Sequence, residues 1–243
     1  MTTFVLVLLL AAGQAPTSQQ FKDQDTLDDE YRETLSLKAH GYAINETDLI
    51  AALQDRKAPE IRTFAVDMLL TLPRTATIVA ALKQTFNDAL LMDTHSREGR
   101  YREETIVRLA RIMQGPLGDT TWQNNAVRVL PQMTDPYHQL ELAQILVRAG
   151  RTEGWPIVRS AIAGNDSGRI FTALGDVEKF DGLPNPDGGQ RIDIAGELHQ
   201  LAATTPDTLT WPRFGSESSK QRIKDHIEAK AKQIDKAKEQ KRQ

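Results

Sequence analysis

Residues 45–72 read Asn-Glu-Thr-Asp-Leu-Ile-Ala-Ala-Leu-Gln-Asp-Arg-Lys-Ala-Pro-Glu-Ile-Arg-Thr-Phe-Ala-Val-Asp-Met-Leu-Leu-Thr-Leu, and this stretch decides the fold. Asn45 is a strong helix N-cap, Asp48 stands at the third helical position, and Ile44 can staple onto Leu49. The apolar face of this first helix is Leu49, Ile50 and Leu53. Pro59 then opens a partner helix at a position where its missing N–H costs nothing, and Ile61, Phe64, Ala65, Met68, Leu69 and Leu72 keep a period of about 3.6 residues. Two short amphipathic helices in tandem must bury their faces against each other. Variants of the unit recur downstream, which predicts an array of helix pairs. Such an array presents an extended surface rather than a closed pocket, and that weighs toward holding a partner over catalysis.

The later units are looser but legible. Ile78, Val79, Leu82 and Phe86 make one helix face, a polar loop follows from Asp93 to Gly99, and Ile106, Leu109, Ala110 and Met113 make the next face, stopped by Gly115-Pro116. A third pair runs through Trp122, Ala126, Val127 and Leu130, then from Asp135-Pro136 through Leu140, Ala143, Leu146 and Val147 to a Gly150 stop. A fourth follows as Trp155, Val158 and Ile162 to Gly164, then Ile170, Ala173, Leu174 and Val177. Trp122 and Trp155 both fall near the start of a first helix. Asp181 to Gln190 is dense in Gly and Pro and reads as an irregular loop, after which Ile194, Ala195, Leu198, Leu201 and Ala202 predict one more helix with Asp193 as its cap. Upstream, Thr26 to His40 reads as a capping helix with Leu27, Tyr31 and Leu35 along one face.

Leu49, Ala52, Leu53 and Asp55, followed by Pro59-Glu60-Ile61-Arg62 and then Ala65, Leu69 and Leu72, resemble a HEAT or HEAT-like (armadillo-type) repeat. The family pattern runs Leu, Ala-Leu, Asp, a Pro-containing turn, Val-Arg, then Ala and Leu at helical spacing, and it covers about one repeat of this chain. The resemblance implies an all-α solenoid of roughly four to five helix pairs. It also implies that Asp55 and Arg62, one residue further apart than the family spacing, act as a structural pair rather than a catalytic one.

Both ends differ from the middle in composition. Phe4 to Ala12 is an apolar run too short to span a ~30 Å hydrocarbon core, and its end with the next residue forms the small-residue stretch Ala11-Ala12-Gly13. It reads as a secretory signal cleaved near Gly13, although the n-region before it carries no Lys or Arg. From Ser216 to Gln243 there are nine Lys or Arg and five Asp or Glu, and the apolar side chains larger than Ala are Ile223, Ile227 and Ile234. A helix burying so little is expected to fray along its last third. The expected organisation is therefore a signal peptide at 1–13, a polar linker at 14–25, a HEAT-like helical repeat domain at 26–215 and a charged helical or disordered tail at 216–243.

The 243 residues carry 30 basic and 33 acidic side chains, a net charge of -3, which gives no general drive toward nucleic acid or anionic membranes. The chain has no cysteine, so disulfides, thiolate zinc sites and a cysteine nucleophile are excluded. His40, His95, His138, His199 and His226 never take the spacing that puts two metal ligands on one helical face. Asp93, His95 and Glu98 share a loop where a weak metal site is conceivable, but a solvated loop is the simpler reading. Gly164-Asn165-Asp166-Ser167-Gly168 superficially evokes an active-site serine loop, yet between two helices its Asn, Asp and Ser serve as turn and cap residues. Gly188-Gly189 is not a phosphate-binding loop, and the sequons at Asn45 and Asn165 matter only in a glycosylating compartment.

The basic tail reads first as a solvated, ion-paired helix and second as a contact for an acidic partner; it lacks the aromatic residues that single-stranded nucleic acid would require. No catalytic, cofactor-binding or metal-ligating residue is nominated, and no cofactor is expected. The expected function is an exported, noncatalytic scaffold or adaptor for a protein partner, with no nucleic acid and no membrane span once the signal is removed, in a bacterial periplasm or outside the cell. The alternatives are an enzyme built on loop carboxylates such as Asp93, Glu98 or Asp187, and an envelope-tethered structural protein that retains its apolar N-terminus.

Overall fold

The computed structural model describes residues 24–92, 98–115, 118, 120–211 and 221–242. The protein is all-α. Among the described residues there are eleven α-helices: α1 (Gln24–Ala39), α2 (Glu46–Gln54), α3 (Arg62–Thr71), α4 (Ala76–Leu90), α5 (Arg102–Gln114), α6 (Gln123–Val129), α7 (Pro136–Arg148), α8 (Trp155–Ile162), α9 (Ser167–Leu174), α10 (Ile194–Thr204) and α11 (Ile223–Arg242). The β-structure among the described residues is a two-residue antiparallel ladder, Thr210–Trp211 against Gln221–Arg222, too short for any periodicity to announce it. The signal-peptide reading of 1–13 and nearly all of the linker at 14–25 lie outside the described residues.

Local chemistry sets the helix ends. Asn45 accepts from the Asp48 amide at 3.0 Å and Asp48 accepts in return from the Asn45 side chain at 3.1 Å, so α2 begins where the capping signals predict. Thr75 accepts from the Ile78 amide at 3.1 Å and donates its hydroxyl to Glu46 at 2.9 Å, which ties the start of α4 to the start of α2. Asp135 caps α7 by accepting from the amides of Tyr137 and His138. α7 ends at Gly150, whose φ of +80° lets the Arg151 amide turn back onto the Leu146 carbonyl at 3.0 Å. Pro59 opens a 3₁₀ turn, Pro59–Ile61, and α3 proper starts one residue later at Arg62.

Successive helices pack as α2 with α3, α4 with α5, α6 with α7, α8 with α9 and α10 with α11. Each odd-numbered helix also lies against the next odd-numbered one, from α1 through to α11. One continuous cluster of buried apolar side chains runs from Leu37 to Ile234. It includes the predicted faces Leu49 and Leu53, Ile61, Ala65 and Leu69, Ile78, Leu82 and Phe86, and Leu140, Ala143 and Leu146. The α1 face is a correction: Tyr31 and Leu35 are exposed and Leu37 is the residue that points inward. A helix period selects an apolar face, but only a neighbour covers it, and α1 lies chiefly against α3.

Two buried arginines repeat the same device. Arg62, the first residue of α3, donates from Nε to the Leu53 carbonyl at the end of α2 at 2.8 Å. One helix pair later Arg102, the first residue of α5, donates to the carbonyls of Ala89 and Leu90 at the end of α4 at 3.1 and 3.4 Å. Each guanidinium satisfies acceptors that a helix C-terminus leaves open and joins the two members of a pair. Asp55, which the resemblance couples to Arg62, accepts instead from the Tyr42 hydroxyl and the Lys57 amide, both at 2.8 Å. The Tyr42 hydrogen bond and then the Lys57 amide hold its carboxyl below the usual carboxylate range.

Close approach of α8 to α7 depends on Gly154. A Cβ there would stand 2.6 Å from the Ala143 Cβ and 2.8 Å from its Cα, inside the contact limit of a backbone that cannot yield. Gly154→Ala is expected to push α8 away from α7 and to cost about 1–3 kcal/mol, the usual range for overpacking. Urea unfolding followed by circular dichroism checks this; an unchanged midpoint would mean that the α7–α8 distance is not set by Gly154.

In the segment read as a charged helical or disordered tail, 216–243, the described residues are 221–242, of which Gln221–Arg222 belong to the ladder and Ile223–Arg242 form α11. Ile223, Ile227, Ala231 and Ile234 are buried and face α10 in one stripe. Lys230 pairs with Glu178 at 2.9 Å, and Lys238 pairs with Asp181 and Asp193 at 2.9 and 2.8 Å. Two of the nine basic side chains of the tail, Lys230 and Lys238, are thus turned onto acids between α9 and α10.

His199 of α10 sits between Glu228 and Asp235 of α11, at 2.9 Å from Nδ1 and 3.0 Å from Nε2. Hydrogen bonds to Asp235 and then Glu228 push the imidazole above its ordinary value of 6.5. A raised folded pKa makes this clamp fully effective below pH 6.5 and removes it as pH rises through the folded value. Glu228, lowered chiefly by His199, adds stability above its ordinary value of 4.5, which is lost as pH falls through its folded value. The denaturation midpoint of the native chain is therefore expected to fall on the alkaline side of this window, and His199→Gln should flatten that fall. Equal slopes for the two proteins would show that the clamp contributes nothing.

Candidate functional site

The residues singled out in the sequence do not converge. His40 lies past the end of α1 near Glu60, His138 is in α7 beside Asp135, His199 joins α10 to α11, and His226 stacks on Phe171 with ring centroids 5.6 Å apart. Asp93, His95 and the side chain of Glu98 lie outside the described residues. Asp187 is exposed in the loop before α10, where its amide donates to the Asn185 side chain at 3.1 Å. In the Gly164–Gly168 stretch Asp166 is the cap of α9, accepting from the Arg169 amide at 3.0 Å, and Ser167 is the first helical residue. Among the described residues no three His, Cys, Asp or Glu side chains stand together as a metal site, and no helix is long and apolar enough to cross a membrane.

Two surfaces stand out instead. The first crosses the odd-numbered helices. Asp67 of α3 pairs with Arg108 of α5, Arg111 of α5 pairs with Glu141 of α7, and Arg148 of α7 pairs with Asp176 just past α9. A shallow cleft of about 170 Å³ opens here between Arg108, Arg111, His138 and Glu141. Burial, and then repulsion from Arg108 and Arg148, lowers the pKa of the Arg111 guanidinium. Each arginine already faces a carboxylate, so the stripe aligns neighbouring helices and leaves little free charge for a ligand. Exposed pairs of this kind contribute about 0–1 kcal/mol each.

The second surface is a cleft of about 340 Å³ between the C-terminal halves of α4 and α6. At one end the two helices are held together by Phe86 and Trp122, edge to face with centroids 6.5 Å apart. Asn87, Leu90 and Leu91 form one wall, Asn125, Arg128 and Val129 the other, and Gln132 closes the end. Leu91 is 85% exposed, which is unusual for a large aliphatic side chain. Sequence reasoning missed this site. No residue of either wall stands out alone in the sequence, and the walls are brought together by the tertiary contact of Phe86 with Trp122.

Comparison with protein-family models, with curated proteins and with solved structures gives no match to this chain.

Proposed function

We propose that the chain is a HEAT-like α-solenoid, exported through its N-terminal segment, that works as a noncatalytic scaffold for a protein partner. The observation that carries the reading is the unbroken row of odd-numbered helices, each lying against the next and each backed by an even-numbered neighbour. Repeating one packing relation builds a long flank stabilised by its neighbours, and such a flank binds another macromolecule by area rather than by enclosure. The buried Arg62 and Arg102, doing the same work one helix pair apart, support a repeated unit. Cross-linking in intact cells followed by purification of the chain tests the scaffold: a protein recovered reproducibly supports it, and recovery of none sinks it. N-terminal sequencing of the mature product tests export, because a start after Gly13 supports cleavage and an intact Met1 or Thr2 refutes it.

A further inference from the structure

We propose that the cleft between α4 and α6 is a docking site for an extended segment of a partner protein that carries a carboxylate next to a large aliphatic side chain. The site rests on the scaffold reading, since its ligand is protein. Three features of the walls select this occupant. Asn87 and Asn125 face the cleft from opposite helices, and neither side chain is engaged in a hydrogen bond among the described residues. A carboxamide offers one donor group and one acceptor, which matches the N–H and C=O that an extended backbone presents to each side. The exposed Leu91 and half-buried Leu90 supply an apolar surface on which a leucine-sized side chain can lose water. At about 340 Å³ the space lies at the bottom of the ~300–1,000 Å³ range for enclosed ligands, so it suits one or two side chains of a chain laid across it.

Charge decides the sign of the partner. Arg108, Arg111, Arg148, Arg151 and Arg159 each face a carboxylate. Arg128 is exposed on the cleft wall and faces none among the described residues. Behind the opposite wall, the buried Arg102 takes up the Ala89 and Leu90 carbonyls, acceptors that would otherwise repel an incoming carboxylate. Its Nη1 is buried with no hydrogen-bond partner among the described residues, and the guanidinium adds positive potential behind that wall. The two arginines make the cleft complementary to an acid, and the apolar surface makes it complementary to an aliphatic neighbour of that acid.

The test pans the immobilised full chain against a random peptide library displayed on phage, then measures the most enriched peptide in synthetic, fluorescent form. Enriched peptides are expected to place Asp or Glu beside Leu, Ile or Phe. Arg128→Glu should weaken the synthetic peptide by about tenfold or more and Asn125→Ala by a few-fold, while Arg111→Glu on the odd-numbered flank leaves it unchanged. Both cleft substitutions are at solvent-accessible positions, and an unaltered circular dichroism spectrum verifies that each variant is folded. No enrichment over the empty support, enriched peptides without acids, or full affinity in Arg128→Glu would each overturn the site. So would a concentration-dependent dimer in sedimentation that Leu91→Asp abolishes, because the cleft would then belong to a second copy of the chain. A partner cross-linked in cells that Arg128→Glu still retains would refute the cleft and leave the scaffold standing.

Discussion

Glu103→Ala is expected to lower the stability of the protein by about 2–4 kcal/mol, with Glu103→Gln losing roughly half as much. Glu103 is in the first turn of α5 and is 5% exposed, yet its carboxylate serves another helix. One oxygen accepts from the Thr134 amide at 2.6 Å and the Thr134 hydroxyl at 3.0 Å, and the other accepts from the Asp135 amide at 2.8 Å. Asp135 in turn caps α7, so a single side chain of α5 positions the turn from which α7 starts. Hydrogen bonds to a charged acceptor contribute about 1.5–3 kcal/mol each before the freed donors regain water, and Ala removes all three at once. Gln keeps one acceptor but turns an N–H₂ toward an N–H. Urea unfolding by far-ultraviolet circular dichroism reads both changes as shifts in midpoint at constant slope. A loss in Glu103→Ala within about 0.5 kcal/mol of zero, the range of ordinary surface changes, would mean that α7 is fixed by its apolar face alone.

The parts of this fold that could be read from the sequence are those written in neighbouring residues. Asn45 with Asp48, Asp135 with Pro136 and the stop at Gly150 are local signals, and the helices begin and end where they stand. What could not be read depends on which element lies across the way. Tyr31 and Leu35 follow the helix period as well as any core residue, but α1 lies against α3 along another side and no described element covers them. Counting apolar residues undervalued α11, because Ile223, Ile227, Ala231 and Ile234 form one stripe and α10 supplies the matching face. Its lysines read as solvated because Glu178, Asp181 and Asp193 are distant in sequence. The resemblance couples Arg62 to Asp55, whereas Asp55 accepts from Tyr42 and Lys57 and Arg62 donates to the Leu53 backbone carbonyl at 2.8 Å, a group that every residue carries and no sequence pattern marks. The cleft between α4 and α6 is the extreme case, since its two walls come from different helix pairs.

Trp122→Ala is expected to cost about 3–5 kcal/mol, the range for removing a large aromatic side chain from a core. Trp122 is 2% exposed and stands at the start of α6, with its ring edge to face on Phe86 of α4 at an interplanar angle of 82°. α6 runs only from Gln123 to Val129, far below the ~12–15 residues at which an isolated helix becomes marginally stable in water, so it persists by packing alone. Buried Ala126, Val129 and Leu130 hold its far end. Loss of the indole should therefore do more than lower the global midpoint: amide exchange across α6 should quicken ahead of exchange in α5 and α7, whose faces are larger. A double-mutant cycle with Phe86→Leu isolates the ring contact, expected at about 0.5–1.5 kcal/mol beyond the buried area. The same variant probes whether the α4–α6 cleft is preformed. If the Phe86–Trp122 anchor sets the spacing of its walls, Trp122→Ala must weaken the peptide that Arg128 recognises even where the protein remains fully folded. Retention of that affinity would show that the walls close on the ligand without needing the anchor.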